Sequence, residues 1–222
     1  MFFKKAVTYL ITPGRTETFN PEDPHCARLI QQVKAAVESG ISMIQLREKK
    51  LSARNLYLLS LYLSEITHGT GTQLFINDRA DIAQAVSADG VHLSTHSLKP
   101  EVVKKNFADR LLIGVSTHNL AEALAARESG ADFVVFGPVY ETISKKVYGP
   151  PRGVESFHRT AESLKGFPLI ALGGVTIDKF NELLTAGASG IAGIDLFADT
   201  ARYKEIAFGT KHAQQSLQAK KK

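Results

Sequence analysis

Short apolar runs rich in β-branched residues alternate along this chain with longer segments whose apolar positions recur at three- and four-residue spacing. The first pattern is that of buried strands, the second that of amphipathic helices, and their alternation is that of parallel strands joined by crossover helices. Eight pairs follow. Strands are predicted over residues 6–11, 43–47, 73–76, 90–93, 111–115, 133–136, 169–172 and 190–194. Helices are predicted over residues 24–38, 52–67, 78–85, 100–107, 120–129, 153–165, 177–186 and 201–217. A weak repeat reinforces the count: Gly40, Gly90, Gly130 and Gly187 each close a helical stretch just before a strand, where a left-handed cap favours glycine.

Eight such units close most simply into a (β/α)8 TIM barrel, an α/β fold with its functional groups at the C-terminal ends of the strands. The rival is a doubly wound open sheet, but the first strand-to-helix turn lacks the G-x-G-x-x-G fingerprint of that fold. A single domain over residues 1–222 is expected, with a basic tail at about 218–222.

Composition changes little in this picture. With 44% hydrophobic and 22% charged residues the chain resembles an ordinary globular protein. Part of the net charge of +5 comes from Lys220, Lys221 and Lys222, and aromatics do not interleave with the basic residues, so nucleic acid is not an expected partner. The surplus of cations instead suits anionic metabolites. Cys26 is the single cysteine, which rules out an intrachain disulfide or a cysteine metal cluster. Residues 1–9 lack the apolar run of a signal peptide, and no stretch approaches the ~20 apolar residues of a membrane helix. A cytoplasmic protein is expected, and a homo-oligomer is compatible with the sequence.

Polar residues gather just after the predicted strands. Gln45, Arg47, Glu48 and Lys49 follow the second, and strand alternation would aim Gln45, Arg47 and Lys49 to one side. They read either as a salt-bridged strand end or as a diphosphate clamp, for which a guanidinium and an ammonium are natural groups. Asn77 and Asp78 follow the third strand, and there Asp78 either caps the next helix or gives an oxygen to magnesium. Ser116 and His118 follow the fifth, with Asn119 available as a helix cap. His118 reads as an acid/base group or as a structural histidine. The sixth strand runs into a long polar loop, residues 137–153, that carries Thr142, Ser144, Lys145 and Lys146 and reads as an anion-gripping lid. Gly173-Gly174 and Gly193-Ile194-Asp195 close the last two strands, where barrels often bind phosphate on backbone N–H groups.

Taken together, Gln45-Leu46-Arg47-Glu48-Lys49, Asn77-Asp78, Gly90-Val91-His92-Leu93, Gly114-Val115-Ser116, Gly137-Pro138-Val139-Tyr140, Thr142-x-Ser144-Lys145-Lys146 and Gly173-Gly174 resemble the thiamine phosphate synthase/thiazole tautomerase superfamily over nearly the whole chain. The synthase branch implies joining of hydroxymethylpyrimidine diphosphate to thiazole phosphate with loss of magnesium-bound pyrophosphate. By that resemblance Arg47, Lys49, Asn77 and Lys145 hold pyrophosphate, Gln45, Thr142 and Ser144 orient the pyrimidine, and Ser116 stabilises the leaving group. Asp78 would hold magnesium, and backbone near Gly174 and Ile194 would bind the thiazole phosphate.

Two positions depart from the synthase pattern. Ser97 stands where a second acidic metal ligand is usual, and Asp195 stands where a serine is usual beside the thiazole phosphate, so that a carboxylate would face a dianion unless it turns away to cap the final helix. Both lean toward the tautomerase branch, which moves a proton on a thiazole carboxylate phosphate without metal and for which His118 is the expected acid/base group. The intact Gln45-x-Arg47-x-Lys49 and Asn77-Asp78 lean toward the synthase. A non-catalytic binder of thiamine intermediates is the third reading, and it has little use for a complete diphosphate clamp.

Overall fold

Parallel strands hydrogen-bond in chain order and the last returns to the first, which closes the sheet. They are β1 (Val7–Ile11), β2 (Met43–Leu46), β3 (Gln73–Asn77), β4 (Gly90–Leu93), β5 (Leu112–Thr117), β6 (Phe133–Phe136), β7 (Leu169–Leu172) and β8 (Gly190–Gly193). Outside them lie α1 (Pro24–Ser39), α2 (Ala53–Thr67), α3 (Ala80–Ala85), α4 (Pro100–Phe107), α5 (Leu120–Glu128), α6 (Gly153–Leu164) and α7 (Phe180–Thr185). This computed structural model describes residues 3, 5–107, 111–142 and 150–210. The helix expected over 201–217 begins as a single 3-10 turn, Thr200–Arg202, and is helical through residue 210. Its remainder and the basic tail lie outside the described residues.

Two apolar layers follow from the twofold period of the strands. Side chains facing out, such as Leu10, Ile44 and Leu74, meet the helices, while Tyr9, Met43, Phe75, Phe133 and Ile170 fill the barrel interior. That interior is packed by pairing rings with glycines. A Cβ at Gly90 would lie 2.4 Å from the Phe75 ring, and one at Gly114 would lie 2.3 Å from the Phe133 ring. Phe75 and Phe133 themselves meet edge to face at 5.4 Å. Gly90 is therefore not the helix cap expected of it. It sits inside β4, and the left-handed residue after α3 is Ser87, with φ 54°. Gly40, Gly130 and Gly187 do take positive φ, of 74°, 94° and 99°.

Local chemistry starts the helices where the sequence puts them. The Asp23 carboxylate accepts from the N–H groups of His25 and Cys26, and Pro24 occupies the first turn, where its missing donor costs nothing. Asn119 accepts from the Glu122 N–H at 2.9 Å and caps α5. The helix expected over 177–186 is instead a 3-10 turn, Ile177–Lys179, followed by α7. Among the described residues, no helix is long and apolar enough to cross a membrane.

Candidate active site

β2 ends at Leu46, one residue short of the expected strand, so the alternation that would align Gln45, Arg47 and Lys49 stops within their span. Gln45 faces the barrel interior and is 2% exposed; its Nε2 donates to Tyr9 Oη at 3.2 Å. Arg47 is half-buried, and its backbone N–H donates to Thr12 Oγ1 at 2.8 Å. Lys49 is exposed and lines a cleft of about 320 Å³ with Asn77, Asp78 and Arg79. Glu48, between them, forms no described salt bridge. It is buried and accepts from the backbone N–H groups of Gly14 at 3.0 Å and Thr16 at 2.7 Å, which fixes the loop after β1.

β3 runs one residue further than expected and carries Asn77 as an interior-facing residue paired with His92 in register. Asp78 follows with φ 62°, left-handed for a residue with a side chain. That bend keeps it from capping α3, whose cap position is Arg79 without a side-chain hydrogen bond. Instead Asn77 Nδ2 donates to Asp78 Oδ2 at 2.7 Å and the Ser97 hydroxyl donates to Asp78 Oδ1. Ser97 Oγ also accepts from the Ser94 N–H at 2.7 Å and lies 2.9 Å from Ser94 Oγ. The serine at the departing position is thus bound to the carboxylate it would otherwise accompany.

This donor set is one carboxylate with two neighbouring hydroxyls, and among the described residues no three His, Cys, Asp or Glu side chains converge on one point. Hard oxygens in that number fit magnesium that keeps most of its shell as water and phosphate oxygen, and do not fit a dedicated protein cage.

β5 extends to Thr117 because the sixth strand pairs with it through Ser116 and Thr117, two residues beyond the apolar run that marked it in the sequence. Ser116 is thereby fixed on a strand, with its Oγ 2.8 Å from His92 Nε2. His118 follows the end of β5 and is half-buried; its Nδ1 donates to the Gly137 carbonyl at 2.6 Å and its backbone N–H donates to Glu122 Oε2. A ring anchored on a backbone carbonyl has its tautomer set by that bond.

Across the same end of the barrel, a cavity of about 490 Å³ opens over β7 and β8. Thr142, Gly174, Ile194 and Asp195 line it, as do Lys179 and Arg202. Gly173 and Gly174 take φ of 94° and 62°, and a Cβ at Gly174 would lie 2.2 Å from the Glu141 carbonyl oxygen. Only glycine lets the chain after β6 pass this close. That chain is itself held: the N–H groups of Val139 and Tyr140 donate to Leu172 and Gly173 carbonyls, and Arg152 and Gly153 close the loop base on Pro138 and Val139. Ser144, Lys145 and Lys146 lie outside the described residues. Asp195 opens a 3-10 turn and its carboxylate caps no helix; Asp199 serves the final helical segment, accepting from the Ala201 N–H at 3.0 Å. Tyr140 donates to Glu182 at 2.7 Å beneath the Lys179 ammonium, and burial with that carboxylate pushes its phenol above the ordinary range.

The sequence alone does not single out Tyr9, Lys179 and Arg202 as functional groups, and it offers Glu48 and His92 only within motifs. Tyr9 did carry a signal, a phenol at an interior position of the first apolar run; Lys179 and Arg202 carried none, because their 3-10 turns have no period to read.

The fold is that of a (β/α)8 barrel, with two clefts at the C-terminal ends of the strands, where barrels of this class carry their chemistry. The pattern of the thiamine monophosphate synthase family matches residues 9–197, and the chain belongs to that family. A relative from Geobacter sulfurreducens is 43% identical over 164 residues, 74% of this chain and 76% of its own. The thiamine-phosphate synthase of Chlorobium phaeobacteroides is 37% identical over 179 residues, covering 81% and 86%. The solved thiamine phosphate pyrophosphorylase from Pyrococcus furiosus superposes with a TM-score of 0.80 at 32% identity, over 96% of this chain and 99% of that one. The isomerase alternative finds no support among these relatives.

Proposed function

We propose that this chain is a cytosolic thiamine-phosphate synthase that joins hydroxymethylpyrimidine diphosphate to thiazole phosphate and releases pyrophosphate. The observation that carries the reading is the pair of clefts at one end of the barrel. One offers Lys49, Asn77 and Asp78; the other offers paired glycines and strand-end backbone, with Lys179 and Arg202 at its rim. A two-substrate reaction between a diphosphate and a monophosphate needs two such sites facing one interior.

In this reading the diphosphate lies on Arg47, Lys49 and Asn77, and Lys145, which follows β6 in the sequence, is its further cation. Asp78, with the neighbouring hydroxyls of Ser94 and Ser97, would hold magnesium, which would supply charge neutralisation for the departing pyrophosphate. The bond between the pyrimidine methylene and the diphosphate oxygen breaks with its electron pair going to oxygen. Ser116 donates to that oxygen as charge develops. The thiazole nitrogen then gives its lone pair to the methylene carbon, so no covalent enzyme intermediate is needed. Gln45, Thr142 and Ser144 orient the pyrimidine, and backbone at Gly174 and Ile194 holds the thiazole phosphate.

Calorimetric titration with hydroxymethylpyrimidine diphosphate, with and without magnesium, tests the reading when followed by an assay for thiamine phosphate on adding thiazole phosphate. Magnesium-dependent binding and product are expected. Absence of binding under both conditions overturns it.

A further inference from the structure

A chain of hydrogen bonds crosses the barrel interior beneath the proposed leaving-group site. Gln45 Nε2 donates to Tyr9 Oη at 3.2 Å, Tyr9 Oη lies 3.3 Å from His92 Nδ1, and His92 Nε2 lies 2.8 Å from Ser116 Oγ. Tyr9 is 0% exposed, Gln45 2% and His92 3%, while Ser116 at the end of the chain is half-buried. Four different strands supply the four side chains, so rigid sheet backbone sets each spacing.

We infer that Tyr9 and His92 are positioning residues that fix the rotor of the Ser116 hydroxyl so that its proton points into the barrel mouth. The inference rests on the reading above for the role of Ser116. The direction follows from counting protons. The amide NH2 of Gln45 can only donate, so Tyr9 Oη accepts from it, and His92 Nδ1 is the acceptor in reach of the buried phenol's own proton, which would otherwise go unpaired. Burial keeps that phenol protonated by raising its pKa far above the ordinary range. His92 Nδ1 therefore accepts, and the ring takes the tautomer with hydrogen on Nε2. Nε2–H donates to Ser116 Oγ, whose own proton is then directed away from the ring. A hydroxyl rotor set before the reaction does not have to reorient as charge builds on the leaving oxygen.

Rings wall the relay on its inner side: Tyr9 packs edge to face on Phe75 at 5.6 Å and on Phe133 at 5.9 Å. Tyr9→Phe removes the relaying hydroxyl and leaves this packing in place. Its kcat is expected to fall about tenfold, the weight of one hydrogen bond felt in the transition state, with KM for both substrates within about twofold. His92→Phe is expected to lose at least as much, and His92→Gln, whose amide can still donate to Ser116, to recover part of the loss. In a Ser116→Ala background Tyr9→Phe is expected to change kcat by less than about twofold, since its effect passes through the missing hydroxyl. Equal losses from Tyr9→Phe with and without Ser116 overturn the inference, as does an unchanged kcat in Tyr9→Phe. Nitrogen NMR of the wild-type protein gives a readout independent of turnover: His92 Nδ1 is expected unprotonated and Nε2 protonated, and the reverse assignment sinks the relay. A wild-type protein that makes no thiamine phosphate defeats the functional reading, while the NMR result still decides the direction of the hydrogen bonds.

Discussion

At the scale of single residues, the site differs from its sequence reading mainly in what each polar atom is already bound to. Asp78 reads in the sequence as a helix cap or a metal ligand; its bent backbone removes the first role, and Asn77 and Ser97 donate to its two carboxylate oxygens, which leaves the second as a proposal to be tested. Ser97→Asp sets a second carboxylate against Asp78, and two like charges at that distance disfavour each other unless a cation lies between them. The variant is expected to unfold at lower temperature than wild type in a chelator and to recover in millimolar magnesium, as followed by circular dichroism. No recovery would mean that the cluster does not take the ion. The clamp residues make a second contrast. Arg47→Ala and Lys145→Ala are each expected to lower kcat/KM by at least about 100-fold, because each removes a cation that the proposed function assigns to the pyrophosphate. His118→Ala is expected to cost less than about tenfold, since its Nδ1 is committed to the Gly137 carbonyl. Steady-state assays of thiamine phosphate formation check the order, and its reversal would return the isomerase reading to the front.

Elements are where packing overrides local signals. Gly90 looked like one more cap in a series, yet it lies inside β4 because the Phe75 ring occupies the space its side chain would need. Gly114 does the same for Phe133 on the next strand. Overpacking a filled interior costs about 1–3 kcal/mol, so Gly114→Ala is expected to lose stability in that range in urea unfolding. The same change moves the strand that carries Ser116, so activity is expected to fall with it. A glycine with open space around it and an ordinary φ would show neither effect. The short element Ile177–Lys179 was merged with α7 in the sequence because a 3-10 turn and an α-helix share apolar spacing over one turn. Only the structure brings its Lys179 back over Tyr140 and onto the Gly174 carbonyl, 3.3 Å away.

Over the whole molecule, the two clefts belong to one closed sheet, so ligand in either stabilises the same cooperative unit. At 100 times its dissociation constant a ligand adds about 2.7 kcal/mol, which in a chain of this size raises Tm by roughly 5–10 °C. Hydroxymethylpyrimidine diphosphate is expected to give that rise in calorimetry with magnesium and little of it without, whereas thiazole phosphate is expected to act without the ion. Equal shifts by the diphosphate in both conditions would remove magnesium from the binding site.

By itself the sequence determined the eight strands and the helical segments between them, the cap at Asn119, the barrel, and the set of polar strand ends that resemble one family. Those properties are local: periodicity, capping and motif spacing are written in residues a few positions apart. Tertiary structure alone decided where β2 and β5 end, which glycines are caps and which make room for rings, and that Ser97 binds Asp78. It also decided that Tyr9 and His92, 83 positions apart, meet inside the barrel and lead to Ser116. Such contacts depend on the register between strands and on closure of the sheet, and neither is encoded in the spacing of any single segment.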